Sequence, residues 1–192
     1  MENLEEQAKI LFACENPPGK TEVAGSQDAL GILLPGINRL DYSGEYWPTK
    51  IDSLHDEETL SWLESVIYLK PLGPRSKGMS ILDKTQVTQQ KVKNLAQAAQ
   101  ECWESINCRC LTGLAKTITS SFQAQVAMFP KMVTPIVDTA IEELPSAALG
   151  YKIAGAGGGG YLIVVSETPL EGTMQIGIRR PKRVTCSEIP SK

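Results

Sequence analysis

The stretch Tyr151-Lys152-Ile153-Ala154-Gly155-Ala156-Gly157-Gly158-Gly159-Gly160-Tyr161 decides how the rest of the chain is read, because five of the 16 glycines fall within six consecutive positions there. Glycine has no Cβ to hold a ligand off the main chain and reaches positive φ without steric cost. Successive N–H groups can then converge on one anion. Ordering so many glycines costs conformational entropy, so a flexible linker is the opposing reading. The flanks decide against it. Gly150-Tyr151-Lys152-Ile153 leads in, and Tyr161-Leu162-Ile163-Val164-Val165 leads out as a buried strand. A glycine run gripped between two apolar strands is a tight turn inside a domain, and we expect it to face a ligand.

Two nucleotide fingerprints fail on context. Gly155, Gly157 and Gly160 satisfy G-x-G-x-x-G, but the dinucleotide motif needs a helix directly after the loop and an acid about 20 residues further on. Here a β-branched strand follows, and the later region reads Gln175-Ile176-Gly177-Ile178-Arg179-Arg180. Gly19-Lys20-Thr21 looks like the tail of a P-loop, yet Cys14 stands where its first glycine belongs and no apolar strand precedes it.

The 192 residues are ample for a hydrophobic core. A formal net charge of −3 with 21% charged residues leaves no electrostatic footprint for nucleic acid or an anionic membrane. No apolar run approaches a membrane span, and Met1-Glu2-Asn3-Leu4-Glu5-Glu6 is acidic rather than a leader. A cytoplasmic protein without nucleic-acid or membrane partners is expected. Cys14, Cys102, Cys108, Cys110 and Cys186 lack paired zinc spacing, so reduced thiols are the default. Cys108 and Cys110, read as part of a helix or helix turn, would point to different faces and share no metal. The single histidine, His55, lies in a polar turn and reads as surface.

Taken in order, Leu4, Ala8, Leu11 and Phe12 predict a helix over residues 2–13, ended by Asn16-Pro17-Pro18-Gly19. The segment from Ala24 to Ile37 delivers Asp28 to the first turn of a short apolar helix, with Ser26 as its cap. Strands at Ile37 to Tyr42 and Tyr46 to Ile51 bracket Ser43-Gly44-Glu45 as a hairpin. Asp56 to Trp62 predicts a short helix and Glu64 to Leu72 a strand. The loop Gly73-Pro74-Arg75-Ser76-Lys77-Gly78 offers Arg75 and Lys77 to a phosphate or sugar, or to solvent. Helices follow at Ile81 to Ile106, Leu111 to Met128 and Lys131 to Leu144, with Pro130 and Pro145 as punctuation. Strands at Tyr161 to Ser166 and Met174 to Ile178 precede Arg179-Arg180-Pro181-Lys182-Arg183, read as a solubilising tail. The pattern predicts an α+β fold with helices on one face of an antiparallel sheet.

Two of these segments together resemble the GHMP small-molecule kinases, which include galactokinase, mevalonate kinase, L-fucokinase and the heptose kinases. Lys152 to Tyr161 resembles the family's C-terminal glycine-rich motif. Gly25-x-Gln27-Asp28-x-x-Gly31, continuing to Pro35-Gly36-Ile37, is similar to the fucokinase and heptose-kinase branch, and Gly150-Tyr151-Lys152 points the same way. The resemblance implies a ferredoxin-like C-terminal domain over residues 64–192 and a remnant of the N-terminal kinase domain over residues 1–63. It implies ATP and Mg²⁺ as cofactors and a sugar as substrate. Asp28 becomes the catalytic aspartate, taking or orienting the proton of the attacking hydroxyl. Gln27, Arg75 and the loop Gly155, Ala156, Gly157, Gly158, Gly159 and Gly160 would contact substrate or phosphate. Glu15 would hold the metal, with Glu22 next in line.

The chain departs from the family in two places. Ala29 stands where the fucokinase-like pattern often has a second glutamine, and no P-x-x-x-G-L-x-S-S-A segment occurs to cradle the ATP phosphates. The resemblance therefore covers the C-terminal part of a kinase, and the chain alone is expected to be inactive. Three alternatives stand beside it: one subunit of a split kinase, a non-catalytic binding module that kept the fold, and a purely structural α+β domain.

Overall fold

The computed structural model describes residues 3–21, 23–74 and 84–181. The chain divides into two compact units, Met1–Leu60 with Ile178–Lys192, and Ser61–Gly177.

The first unit begins with α1 (Leu4–Glu15), whose start is capped where Glu6 N–H donates to Asn3 Oδ1 at 3.2 Å. After the Pro17-Pro18 break comes α2 (Ser26–Leu33). Ala8 of α1 meets Ala29 and Leu30 of α2 in a small core, flanked by Leu11, Phe12, Leu40, Trp47 and Ile51. Phe12 and Trp47 pack edge to face at 6.1 Å. Strands β1 (Ile37–Asp41) and β2 (Lys50–Leu54) pair antiparallel, with Ile37 opposite Leu54 and Asp41 opposite Lys50.

The hairpin connection runs from Tyr42 to Thr49, longer than the three-residue turn expected. Pro48 has no N–H for a ladder, and the second strand starts only after Thr49 N–H has bonded to the Asp41 carbonyl at 2.8 Å. Helix α3 (Glu57–Val66) also outruns its expected end at Trp62, because Leu60, Leu63 and Val66 recur at helical spacing on a buried face. The segment from Ile178 is docked rather than a loose solubilising tail. The Arg179 carbonyl accepts the Gly36 N–H at 2.8 Å, and Arg180 forks onto Glu57 with Nε–Oε2 at 3.0 Å and Nη2–Oε1 at 2.6 Å. Lys182 and Arg183 lie outside the described residues.

The second unit is built on β3 (Ile67–Gly73), followed by α4 (Gln89–Asn107), α5 (Leu111–Met128), a 3₁₀ turn at Pro130–Met132 and α6 (Pro135–Glu142). Then come β4 (Gly150–Ile153), β5 (Gly160–Val165) and β6 (Met174–Gln175). The third expected helix is thus split: Pro130 opens the 3₁₀ turn and Pro135 occupies the first position of α6, where its missing N–H does no harm. Helix α4 starts at Gln89 rather than Ile81, because Thr88 caps it by accepting the Lys91 N–H at 3.3 Å.

The four strands lie in the order β4-β5-β3-β6, each neighbouring pair antiparallel. Numbered within the unit, this is the 4-1-3-2 order of a ferredoxin-like sheet, in which β3 and β4 flank β5 as a split crossover. The connection from β5 to β6 is a short turn rather than the second helix of that pattern. Leu72, Ile153, Leu162 and Val164 from the sheet pack with Phe122, Met132, Val137 and Ala140 from the helical side. Helix α5 also closes the free edge of β4: the Tyr151 N–H donates to Thr119 Oγ1 at 3.1 Å. Gly150 permits this approach, since a Cβ there would overlap the Ala115 backbone.

Candidate functional site

Asp28 sits in the first turn of α2, where the dipole favours an acid, and its side chain is exposed. The helix is held from behind. Ala29 is fully buried and Leu30 nearly so. Asn16, at the end of α1, donates from Nδ2 to the Phe12 carbonyl at 2.9 Å and to the Ala24 carbonyl at 3.2 Å, while its Oδ1 accepts the Ala24 N–H at 2.7 Å. Ser26 does not cap the helix. Gly25 holds the N-cap position, and the Ser26 hydroxyl turns inward to lie 3.0 Å from Tyr42 Oη. Gln27 is exposed beside Asp28, its carboxamide folded over Gly25, which has no Cβ to exclude it.

Glu15 is the last residue of α1 and half-buried, and Lys20 Nζ bonds to its carbonyl oxygen at 2.7 Å rather than to its carboxylate. Glu22 lies outside the described residues. Among the described residues no group of three or more histidine, cysteine or acidic side chains could hold a metal.

The glycine run lies in the second unit and is the hairpin loop between β4 and β5. Gly155, Gly157, Gly158 and Gly160 have φ of +63°, +84°, +77° and +87°, the left-handed region that side chains avoid. The middle of the loop is anchored: Gly158 N–H donates to the Met132 carbonyl at 2.9 Å, and a Cβ on Gly157 would come 2.9 Å from Met132 Cβ. Gly157, Gly158 and Gly159 are buried, whereas Gly155, Ala156 and Gly160 are exposed. These shoulders, with Pro74, Ala154 and Tyr161, line an open cleft of about 430 Å³. Arg75, expected to contact substrate, lies outside the described residues.

Lys152, one residue before Ile153, has a role that pattern reading missed. Its ammonium reaches Ser121 Oγ at 3.4 Å and Gln125 Oε1. Burial lowers its pKa to about 8, against the opposing pull of Cys102. Cys102 is itself raised by burial, with Thr117 and then Lys152 opposing. The signal available in the sequence was a lone cation inside an otherwise apolar strand.

The two neighbouring thiols Cys108 and Cys110 also sit differently from expectation. They belong to the turn between α4 and α5, not to one helix, so the opposite-faces argument does not apply. Arg109 between them has φ +52°, the Cys108 thiol lies 3.5 Å from the Ser105 carbonyl, and Cys110 Sγ lies 3.6 Å from Thr112 Oγ1. His55 is exposed, with Nε2 at 3.2 Å from the Pro35 carbonyl. No described helix is long and apolar enough to cross a membrane.

No family model and no curated protein matches the chain in sequence. Solved structures match it in fold. A mevalonate kinase superposes with TM-score 0.62 at 20% identity, over 86% of this chain and 50% of that one. A D-glycero-D-manno-heptose 1-phosphate kinase from Bacteroides thetaiotaomicron gives 0.57 at 15% identity, over 85% and 45%. A protein from Campylobacter jejuni, provisionally assigned as a sugar kinase, gives 0.55 at 18% identity, over 86% and 46%. The chain thus shares the fold of part of these kinases and spans about half the length of the structures it matches.

Proposed function

We propose that these residues form the C-terminal portion of an ATP-dependent sugar kinase of the GHMP type, similar to the fucokinase and heptose-kinase branch. The observation that carries this is the glycine loop, whose left-handed turns are seated on Met132 and whose shoulders leave an open cleft in a chain of kinase fold.

Asp28 and Gly155 to Gly160 lie in different units, and the proposal assigns them to one reaction. Asp28, exposed at the start of α2, accepts or orients the proton of the attacking sugar hydroxyl. Gln27 beside it contacts the sugar. Phosphoryl transfer asks chiefly for positioning and charge stabilisation, and the exposed backbone at Gly155, Ala156 and Gly160 can approach phosphate oxygens closely. Arg75, next in sequence to Pro74, is assigned to substrate or phosphate. Glu15, half-buried at the end of α1, would supply the protein carboxylate for Mg²⁺, an ion that is commonly held by one or two carboxylates together with phosphates and water and that would neutralise charge on the transferred group.

The 192 residues contain no P-x-x-x-G-L-x-S-S-A segment, so the main cradle for the ATP phosphates is assigned to further polypeptide, in the same chain or a second subunit. We assign the reaction to the cytoplasm, where thiols stay reduced. The test is an ADP-release assay over free hexoses, 6-deoxyhexoses and heptoses, with this chain alone and with adjacently encoded polypeptide that carries the Ser-rich loop. Turnover is expected only in the second case. Turnover by the isolated chain overturns the need for a second part. No turnover in either, or no such adjacent sequence, assigns the chain to a non-catalytic binding role.

A further inference from the structure

Cys108 and Cys110 lie in the turn that joins α4 to α5, and nothing in the kinase reading uses them. The turn is well defined. Cys108 N–H donates to the Glu104 carbonyl at 3.1 Å, Arg109 N–H to Ile106 at 3.1 Å, and Cys110 N–H to Ser105 at 2.9 Å. Cys110 then caps α5, its carbonyl accepting the Leu114 N–H at 2.8 Å. Arg109 is left-handed at φ +52°. Such a residue brings the flanking Cα atoms closer than the ~7 Å of extended chain, and ~7 Å is the limit beyond which two cysteines cannot be bridged.

Cys110 Sγ lies 3.6 Å from Thr112 Oγ1 and curls over the first turn of α5, where a Cβ on Gly113 would stand 3.2 Å from it. Glycine at 113 makes room first for Ser105 Oγ, which such a Cβ would meet at 2.6 Å, and then for this sulfur. The Cys108 thiol lies 3.5 Å from the Ser105 carbonyl, and it is among the weaker causes that lower the Cys110 pKa. Both side chains are exposed. The Thr112 hydroxyl, then the Gly113 amide, hold the Cys110 thiol below its ordinary pKa, the setting in which a cysteine is nucleophilic.

We propose that Cys108 and Cys110 are a redox-active dithiol that exchanges with small-molecule disulfides, such as glutathione disulfide, and closes to a Cys108–Cys110 disulfide. The Cys110 thiolate attacks one sulfur of the external disulfide and releases the first small thiolate, leaving a mixed disulfide at Cys110. The Cys108 thiolate then attacks Cys110 Sγ, breaks its bond to the remaining small-molecule sulfur and releases the second thiolate. The two thiol protons end on the two small thiols. The protein loses two electrons, and the external disulfide gains them. An exposed disulfide of this kind reopens with a dithiol reductant.

The experiment treats the reduced chain with glutathione disulfide, quenches with an alkylating agent and maps the products by mass spectrometry. The exposed Cys14 of α1 is the internal reference. Wild-type protein is expected to lose two hydrogens across Cys108 and Cys110 without retaining glutathione there, and to react at Cys110 about tenfold or more faster than at Cys14. Cys108→Ser should instead trap a stable glutathione adduct on Cys110. Both positions are exposed, so the serine variant leaves the core untouched. Retention of the glutathione adduct on wild-type Cys110, or equal rates at Cys110 and Cys14, overturns the proposal.

Discussion

Asn16 grips Ala24 from both sides, accepting its N–H at 2.7 Å and donating to its carbonyl at 3.2 Å. A third bond, to the Phe12 carbonyl at 2.9 Å, ties that grip to the end of α1. The segment that delivers Asp28 is therefore set by one carboxamide eight residues after α1's Ala8 has met Ala29 and Leu30 in the core. Asn16→Ala removes these three bonds, together with the longer one from Lys20 Nζ to Asn16 Oδ1 at 3.5 Å, and leaves part-buried backbone groups without partners they had. A loss of about 2 kcal/mol in unfolding free energy is expected, read from chemical denaturation. A loss below about 0.5 kcal/mol would show that the clamp carries no stability.

The glycine run divides into positions that hold the loop and positions that face the cleft. Gly157→Ala places a Cβ against Met132 as well as at φ +84°, whereas Gly155→Ala, at φ +63°, meets nothing within 4 Å. Gly155→Ala should cost about 1 kcal/mol from backbone conformation alone. Gly157→Ala should cost about 1–3 kcal/mol more, because the Met132 backbone has to shift. Thermal unfolding of the two variants side by side checks the order. Equal costs would remove the anchoring role of Met132.

Lys152 gives the stability a pH dependence of definite sign. Its folded pKa is about 8 against an ordinary 10.5, so between these values the unfolded state binds more protons and stability rises with pH. Below pH 8 the full penalty of burying the ammonium is present, on the order of 3 kcal/mol. Lys152→Met removes that penalty and also the bonds to Ser121 and Gln125. The difference in stability between variant and wild type should therefore move in favour of wild type by up to that amount as pH rises from about 8 to about 10. Denaturant titrations across that range test it, and a difference that does not change with pH contradicts it.

Much of this fold was legible because it follows local rules. Leu111 to Met128 was readable to the residue, bounded by a turn before it and Pro130 after it. The strands around the glycine run were equally plain, since Leu162 and Val164 alternate into the core. Some of the misjudged features were decided by partners far along the chain. Tyr42 draws Ser26 inward from a capping role, and Gly36 and Glu57 hold Arg179 and Arg180 in place of solvent. The glycine run stood out from its own composition and flanks, and a motif resemblance joined it to Asp28. Asn16 and Lys152 were missed because their importance lies in what they bond to, which no spacing rule encodes. For the two thiols of the α4–α5 turn, the sequence argument applied helical faces across Arg109, whose left-handed backbone breaks that periodicity.

The central claim is that Asp28 serves phosphoryl transfer to a sugar. It is tested most directly by steady-state kinetics of Asp28→Asn in the complemented enzyme, using the sugar that the wild type phosphorylates. The account predicts that kcat falls by about 10²-fold or more, as expected for loss of a positioned base, while KM for ATP stays within about threefold and the thermal midpoint falls by no more than a few degrees, because the side chain is exposed and only its charge at the start of α2 is lost. An Asp28→Asn enzyme that retains wild-type kcat would contradict it.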